Sequence, residues 1–293
     1  LLAFLLLMTG IDRCIMGYKW NLLLRSNGIG LPTWRVISLY VVSNLLGSFT
    51  PGMLGADAYR VLALTPLGRS STVFSTVVLE RAMGILALLL FVIGALPFSF
   101  SIFGADAGTI ASVSVTGVVV LIIAIFLPLY TPLRTRVDRF FEARSGKVPQ
   151  KIHQLFTAYA NQSKDKKTLG IFFVLTVLET GFFFFLNFLA ARAAGLDVSL
   201  GFIFMVMPIV HFVLRMPITF QGIGVQEGLF AYALSLAGFS LAQGFLVSLI
   251  WRLTDILAIY LPGCLLLWLS PGIEGALKGA QELSLAREDS SEV

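Results

Sequence analysis

Apolar residues run along this chain in blocks long enough to cross a membrane, and polar residues interrupt them at few positions. A spanning helix needs roughly 20 predominantly apolar residues. Leu1–Leu24 reaches that length, although Asp12, Arg13 and Lys19 make its second half interfacial or turned into a bundle. Arg25–Arg35 is a polar link. Val36–Phe49 is apolar but short, covering only ~21 Å at 1.5 Å per residue. Thr50, Pro51 and Gly52 then break the pattern, with Gly55 close behind. A second short segment, Met53–Leu64, follows and carries Asp57 and Arg60. Two short pieces joined by Pro-Gly predict a re-entrant helical hairpin rather than two spans.

The second half repeats this order. Ser70–Leu96 is a full span holding Glu80 and Arg81, Ser99–Gly108 a short loop, and Ile110–Tyr130 another span. Leu169–Ala194 spans again, with Glu179 inside it. Its run Phe182–Phe185 reads as lipid-facing, so Phe184→Leu is expected to be near neutral. Leu200–Met216 is short and holds Pro208, His211 and Arg215. It meets a second break containing Pro217, Gln221, Gly222 and Gly224, followed by Gln226 and Glu227. Val225–Ala237 is short, and Leu241–Leu269 is a long span with Arg252 and Asp255. Asp57 and Arg81 are 24 positions apart, Glu227 and Arg252 25. The prediction is an all-α polytopic membrane protein: about five full transmembrane helices plus two re-entrant broken-helix hairpins in an inverted repeat. Residues 1–270 form one membrane domain, with repeats at about 36–97 and 200–270 and a tail from 271 to 293.

Composition agrees with this pattern. Of 293 residues 57% are hydrophobic and 13% charged, and the mean hydropathy is +0.89. A soluble domain carries roughly 25% charged residues. The net charge of +5 is concentrated rather than spread, because Arg134–Lys167 holds nine of the 21 basic residues against three acidic ones. Apolar residues recur there at helical spacing, which predicts a basic amphipathic segment on a membrane surface. That concentration argues against nucleic acid and sets orientation by the positive-inside rule. Arg134–Lys167 and the C-terminus then lie in the cytoplasm, with Ser99–Gly108 outside. The chain opens without methionine inside an apolar run, so a further N-terminal helix is expected. Cys14 and Cys264 lie in apolar runs and read as packing residues. No metal or cofactor spacing is present, and neither H-E-x-x-H nor G-x-S-x-G occurs.

Broken backbone and ionisable groups at membrane depth must face protein or a water-filled cavity, which makes them functional candidates. The N-termini of half-helices suit anionic groups. Met53 and Val225 are expected to begin such half-helices, both opening near the bilayer midplane onto one cavity. Asp57, Arg60, Arg81, Glu179, His211, Arg215, Gln221, Gln226, Glu227 and Arg252 are the candidate substrate-binding residues. The arginines suit a phosphate and the carboxylates a cationic head group. The alternative is that these charges pair with one another to hold the bundle.

Three stretches carry a family resemblance: P-G-M-L-G-A-D-A-Y-R from Pro51 to Arg60, Glu80-Arg81, and P-I-T-F-Q-G-I-G-V-Q-E from Pro217 to Glu227. They resemble the flippase-like membrane domain of lysylphosphatidylglycerol synthases, the group that includes the multiple peptide resistance factor. The resemblance implies a multi-pass protein of the bacterial inner membrane that moves anionic or aminoacylated lipids between leaflets. No soluble aminoacyl-transferase domain follows the last span, so this chain is expected not to synthesise the lipid. Two other readings stay open. One is a membrane enzyme or accessory subunit for polyprenyl-phosphate-linked glycans, and the other is a non-lipid secondary transporter. Membrane lipids are the expected partners, and a homo-oligomer stays open.

Overall fold

The computed structural model describes residues 1–103, 165–215 and 222–269, with scattered positions between 108 and 159. Among these residues the structure is helical throughout and contains no strand. Helix α1 runs Leu2–Ser26, α2 Thr33–Gly47, α3 Leu54–Ala63 and α4 Ser70–Phe103. After residue 165 come α5 (Lys166–Ala193), α6 (Leu200–Leu214), α7 (Val225–Ser235) and α8 (Leu241–Leu269). Helices α4, α5 and α8 are long and apolar enough to cross a membrane. Helix α1 has the length but carries Asp12, Arg13 and Lys19, and all three lie turned into the bundle.

Local chemistry sets the helix ends. Asp165 caps α5 by accepting the Thr168 backbone N–H at 3.1 Å, and Ser199 caps α6 by accepting that of Phe202 at 3.1 Å. Both satisfy amide groups that a helix start leaves without partners. Helix α4 continues into the expected Ser99–Gly108 loop as far as Phe103, running on past Gly84, Gly94 and Pro97. Residues 134–149, most of the predicted span Ile110–Tyr130, and the tail lie outside the described residues.

The bundle is built around α1 and α5, which pack on each other. Helix α1 also packs on α2, α4 and α8, and α5 on α6, α4 and α8. The short helices cross over. Helix α2 lies on α3 and α8, while α6 lies on α7 and α4. Helix α3 returns to α4, and α7 to α8. Close approaches need small residues. A Cβ at Gly244 would stand 2.5 Å from Ala231 Cα, and one at Gly47 would stand 2.6 Å from Ala56 Cβ.

The largest core cluster corrects the reading of the phenylalanine run. Phe184 is fully buried, and Phe182, Phe183 and Phe185 pack against the same cluster. Four consecutive helical positions point in four directions, about 100° apart, so such a run cannot face lipid as a unit. Phe183 stacks edge-on against Trp251 at 5.2 Å and His211 at 4.6 Å. The cysteines are corrected the other way: Cys14 and Cys264 are both free thiols exposed on the outer surface. Trp34 at the start of α2 and Trp268 at the end of α8 are also exposed.

Candidate functional site

The first break is a tight turn whose backbone the sequence partly dictates. Pro51–Met53 forms one 3-10 turn, with Gly52 at φ 59°. Met53 follows at φ 56°, ψ 27° and caps α3, so the helix itself begins one residue later than expected. Thr50 stitches the turn together. Its hydroxyl donates to Gly47 O at 2.8 Å and accepts the Gly55 N–H at 2.8 Å. Gly55 therefore lies in the first turn of α3, where an added Cβ would meet Thr50 Cγ2 at 2.7 Å.

Helix α3 delivers Asp57 and Arg60 to α4. Arg60 is buried and bridges two carboxylates, Asp57 at 2.7 Å and Glu80 at 2.6 Å. Its guanidinium also covers the rings of Trp20 and Tyr40, at 5.1 and 4.9 Å from their centroids. Tyr40 donates its hydroxyl to Glu80 at 2.9 Å. Arg81 pairs with the other oxygen of Asp57 and donates to the Gly52 carbonyl at 3.2 Å. Its side chain stays 41% exposed. Asp57 thus receives two arginines, and the turn's carbonyl is read by the second.

The second break is described from Gly222 onward; Pro217 and Gln221 lie outside the described residues. Gly222 and Gly224 adopt φ 70° and 83°, the left-handed region that glycine enters without steric cost. Glu227 reaches back to accept the Gly224 N–H at 2.7 Å and takes Arg252 Nε at 2.5 Å. Gln226 donates to Ser248 at 3.3 Å. Beside Glu227 a groove of about 650 Å³ opens, lined by Ile223, Gly228, Ala231, Leu241, Phe245 and Leu249. One carboxylate thus sits at the edge of an otherwise apolar cleft.

The remaining candidates fall into two surroundings. His211 is enclosed by Phe183, Phe184 and Phe230 and bonds Asn187 at 3.2 Å, deep in the aromatic core. Arg215 ends α6 and is exposed, with its guanidinium directed toward Gly84 of α4. It lies within electrostatic reach of Glu179, Arg81, Tyr40 and Glu80. On α4 the first break is met at Arg81 and the end of α6 at Gly84, ~4.5 Å apart along the axis.

A profile of the family described as lysylphosphatidylglycerol synthase TM region matches residues 1–263. The chain belongs to that family. Comparisons with curated proteins and with solved structures gave no match. In this lysylphosphatidylglycerol synthase membrane region the polar interior extends beyond the candidates taken from sequence. Lys19 bonds Glu179 at 2.9 Å and Thr176 at 3.3 Å, and Arg13 bonds Asp255 at 3.0 Å. Asp12, Arg13, Lys19 and Tyr40 were not among the expected substrate-binding residues. Their signal was present as charges within an apolar run, but the interfacial reading of α1 competed with it. No group of three or more His, Cys, Asp or Glu residues able to hold a metal occurs among the described residues.

Proposed function

We propose that this membrane domain moves an anionic or aminoacylated lipid between leaflets, its head group passing through the polar interior while its tails stay in apolar grooves. The observation that carries the reading is the contact between polar and apolar linings at the second break. Glu227, at the first turn of a half-helix, borders a groove of leucine, isoleucine and phenylalanine. An amphiphile has that same division. Arg215 and Arg81, both exposed at one level of α4, offer a phosphate two guanidinium groups. Glu227 suits a cationic aminoacyl group.

The pattern of helix packing agrees with an inverted repeat, which supports the reading. Exchanging α1, α2, α3 and α4 with α5, α6, α7 and α8 maps the packing onto itself. Helix α2 on α8 becomes α6 on α4, α1 on α8 becomes α5 on α4, and α1 on α5 is unchanged. The ion pairs exchange as well, Asp57–Arg81 with Glu227–Arg252. Two re-entrant hairpins related this way would put both breaks at the repeat interface, the arrangement that houses substrate sites in many transporters. The proposed orientation, with the C-terminus in the cytoplasm at the inner membrane, rests on the basic residues of the 134–167 sequence and the positive-inside rule.

The test is reconstitution of the chain into liposomes with a fluorescent phosphatidylglycerol or its lysyl ester in one leaflet. Faster loss of asymmetry than in protein-free vesicles, with the lipid chemically unchanged, is the expected result. A chemically altered lipid would favour the enzyme reading instead, and unchanged asymmetry for both lipids would count against lipid movement.

A further inference from the structure

The centre of the bundle holds a carboxyl group that the ion pairs leave over. Asp12 is 0% exposed, and among the described residues neither of its oxygens meets a hydrogen-bond donor. Its neighbour Arg13 stands 3.5 Å away but spends its hydrogen bond on Asp255, at 3.0 Å. Lys19, on the same helix, is committed to Glu179. The groups facing this point are therefore Arg13 and Lys19 from α1, Glu179 from α5, Asp255 from α8 and Tyr40 from α2, with Glu80 of α4 behind Tyr40. Three carboxyls share two cations. Arg215 approaches from the Glu179 side.

A charge in such a place is costly unless it is both paired and hydrogen-bonded; otherwise the group neutralises. Geometry decides which carboxyl does so. Glu179 and Asp255 each hold a direct charge-assisted hydrogen bond, and Asp12 holds none. We propose that Asp12 is a proton-binding site, occupied in this arrangement, whose proton is exchanged when Arg13 moves from Asp255 to Asp12. The step is balanced. The Asp12 O–H bond breaks, its proton passes to water, and the carboxylate left behind takes the guanidinium that Asp255 gives up. Asp255, at the edge of the network and 31% exposed, then accepts hydrogen bonds from water in place of the guanidinium. Arg13 links α1 to α8, two helices that fall in opposite halves of the repeat, so its shift accompanies a change in how those halves meet. Coupling of this proton to lipid movement rests on the transport reading above.

Infrared difference spectroscopy of the full chain in phosphatidylglycerol vesicles reads the proton directly and needs no transport. The carbonyl stretch of a protonated carboxylic acid should persist at neutral pH and vanish in Asp12→Asn. Asp255→Asn provides a second variant, because it frees Arg13 to pair with Asp12. The acid band should then be lost although Asp12 remains. No acid band in the unaltered protein, or a band that survives both substitutions, overturns the site. In lipid-movement assays under an imposed pH gradient, the unaltered chain should respond to the gradient and Asp12→Asn should not. Lipid movement indifferent to the gradient would sink the coupling while leaving the lipid reading intact. Absence of any lipid movement would sink the lipid reading, and the coupling with it, and the infrared result would still decide the site.

Discussion

Arg252 donates its Nε to Glu227 at 2.5 Å, fastening the first turn of α7 to the middle of α8. The two side chains are 15% and 13% exposed, so the pair is largely withdrawn from solvent. Removing one partner of this part-buried pair loses a charge-assisted hydrogen bond, which costs roughly 1.5–3 kcal/mol. Glu227→Ala and Arg252→Ala should therefore each lower the thermal midpoint in detergent. The double variant should lose less than the sum of the two. Strict additivity would show that the pair contributes nothing of its own.

Arg60 should not tolerate lysine. Its planar fork serves Asp57 and Glu80 at once and lies against Trp20 and Tyr40. An ammonium keeps the charge but loses the two-sided hydrogen bonding and the stacking. Arg60→Lys is expected to lower stability by about 2 kcal/mol, within the range for a broken buried network. An unchanged midpoint in chemical or thermal unfolding would contradict this.

Arg215 is expected to behave oppositely. It is exposed, and no ion pair holds it among the described residues. Arg215→Ala should lower the thermal midpoint less than Arg60→Lys does, because it breaks no ion pair among the described residues. Lipid movement in liposomes should fall sharply. A loss of folded protein with lipid movement preserved would place this arginine in the scaffold instead.

The aromatic core gives a packing test. Phe184→Ala removes a fully buried ring and should cost about 3–5 kcal/mol. Phe184→Leu should cost less, yet more than the near-neutral change expected of a lipid-facing residue. Gly244→Ala should also destabilise, by about 1–3 kcal/mol, because its Cβ would press on the Ala231 backbone. Thermal unfolding of the three variants measures each.

Much of this architecture was legible in sequence, because the membrane demands long apolar runs and penalises broken ones. The ends of α8 match the sequence reading, and the 24- and 25-residue spacings from acid to arginine are ion pairs. What stayed hidden was direction around the helix axis. A run such as Phe182–Phe185 is apolar whichever way it turns, so composition cannot separate lipid from core. The same ambiguity affected Asp12 and Arg13. They sit in the middle of the first helix, where the pattern admits both an interfacial and a bundle-facing reading, and only the packing of α1 against α5 and α8 turns them inward. The partnership of Arg13 with Asp255 joins residues 242 positions apart, which no local pattern encodes.

The two exposed tryptophans act as a depth gauge. Leu45 lies against Gly263 and Phe49 against Tyr260, so α2 and α8 run antiparallel, and Trp34 and Trp268 point to the same face of the bundle. From Trp34 to the end of α2 at Gly47 is thirteen residues, and from Trp268 back to Arg252 is sixteen. At 1.5 Å per residue these are ~20 and ~24 Å. Indole rings settle at the headgroup level, and the hydrocarbon layer beneath is ~30 Å thick. A bilayer that seats both tryptophans at one headgroup level would therefore hold the end of α2 and Arg252 at similar depths, inside the hydrocarbon layer and beyond its midplane, where water is scarce and a passing head group needs a host.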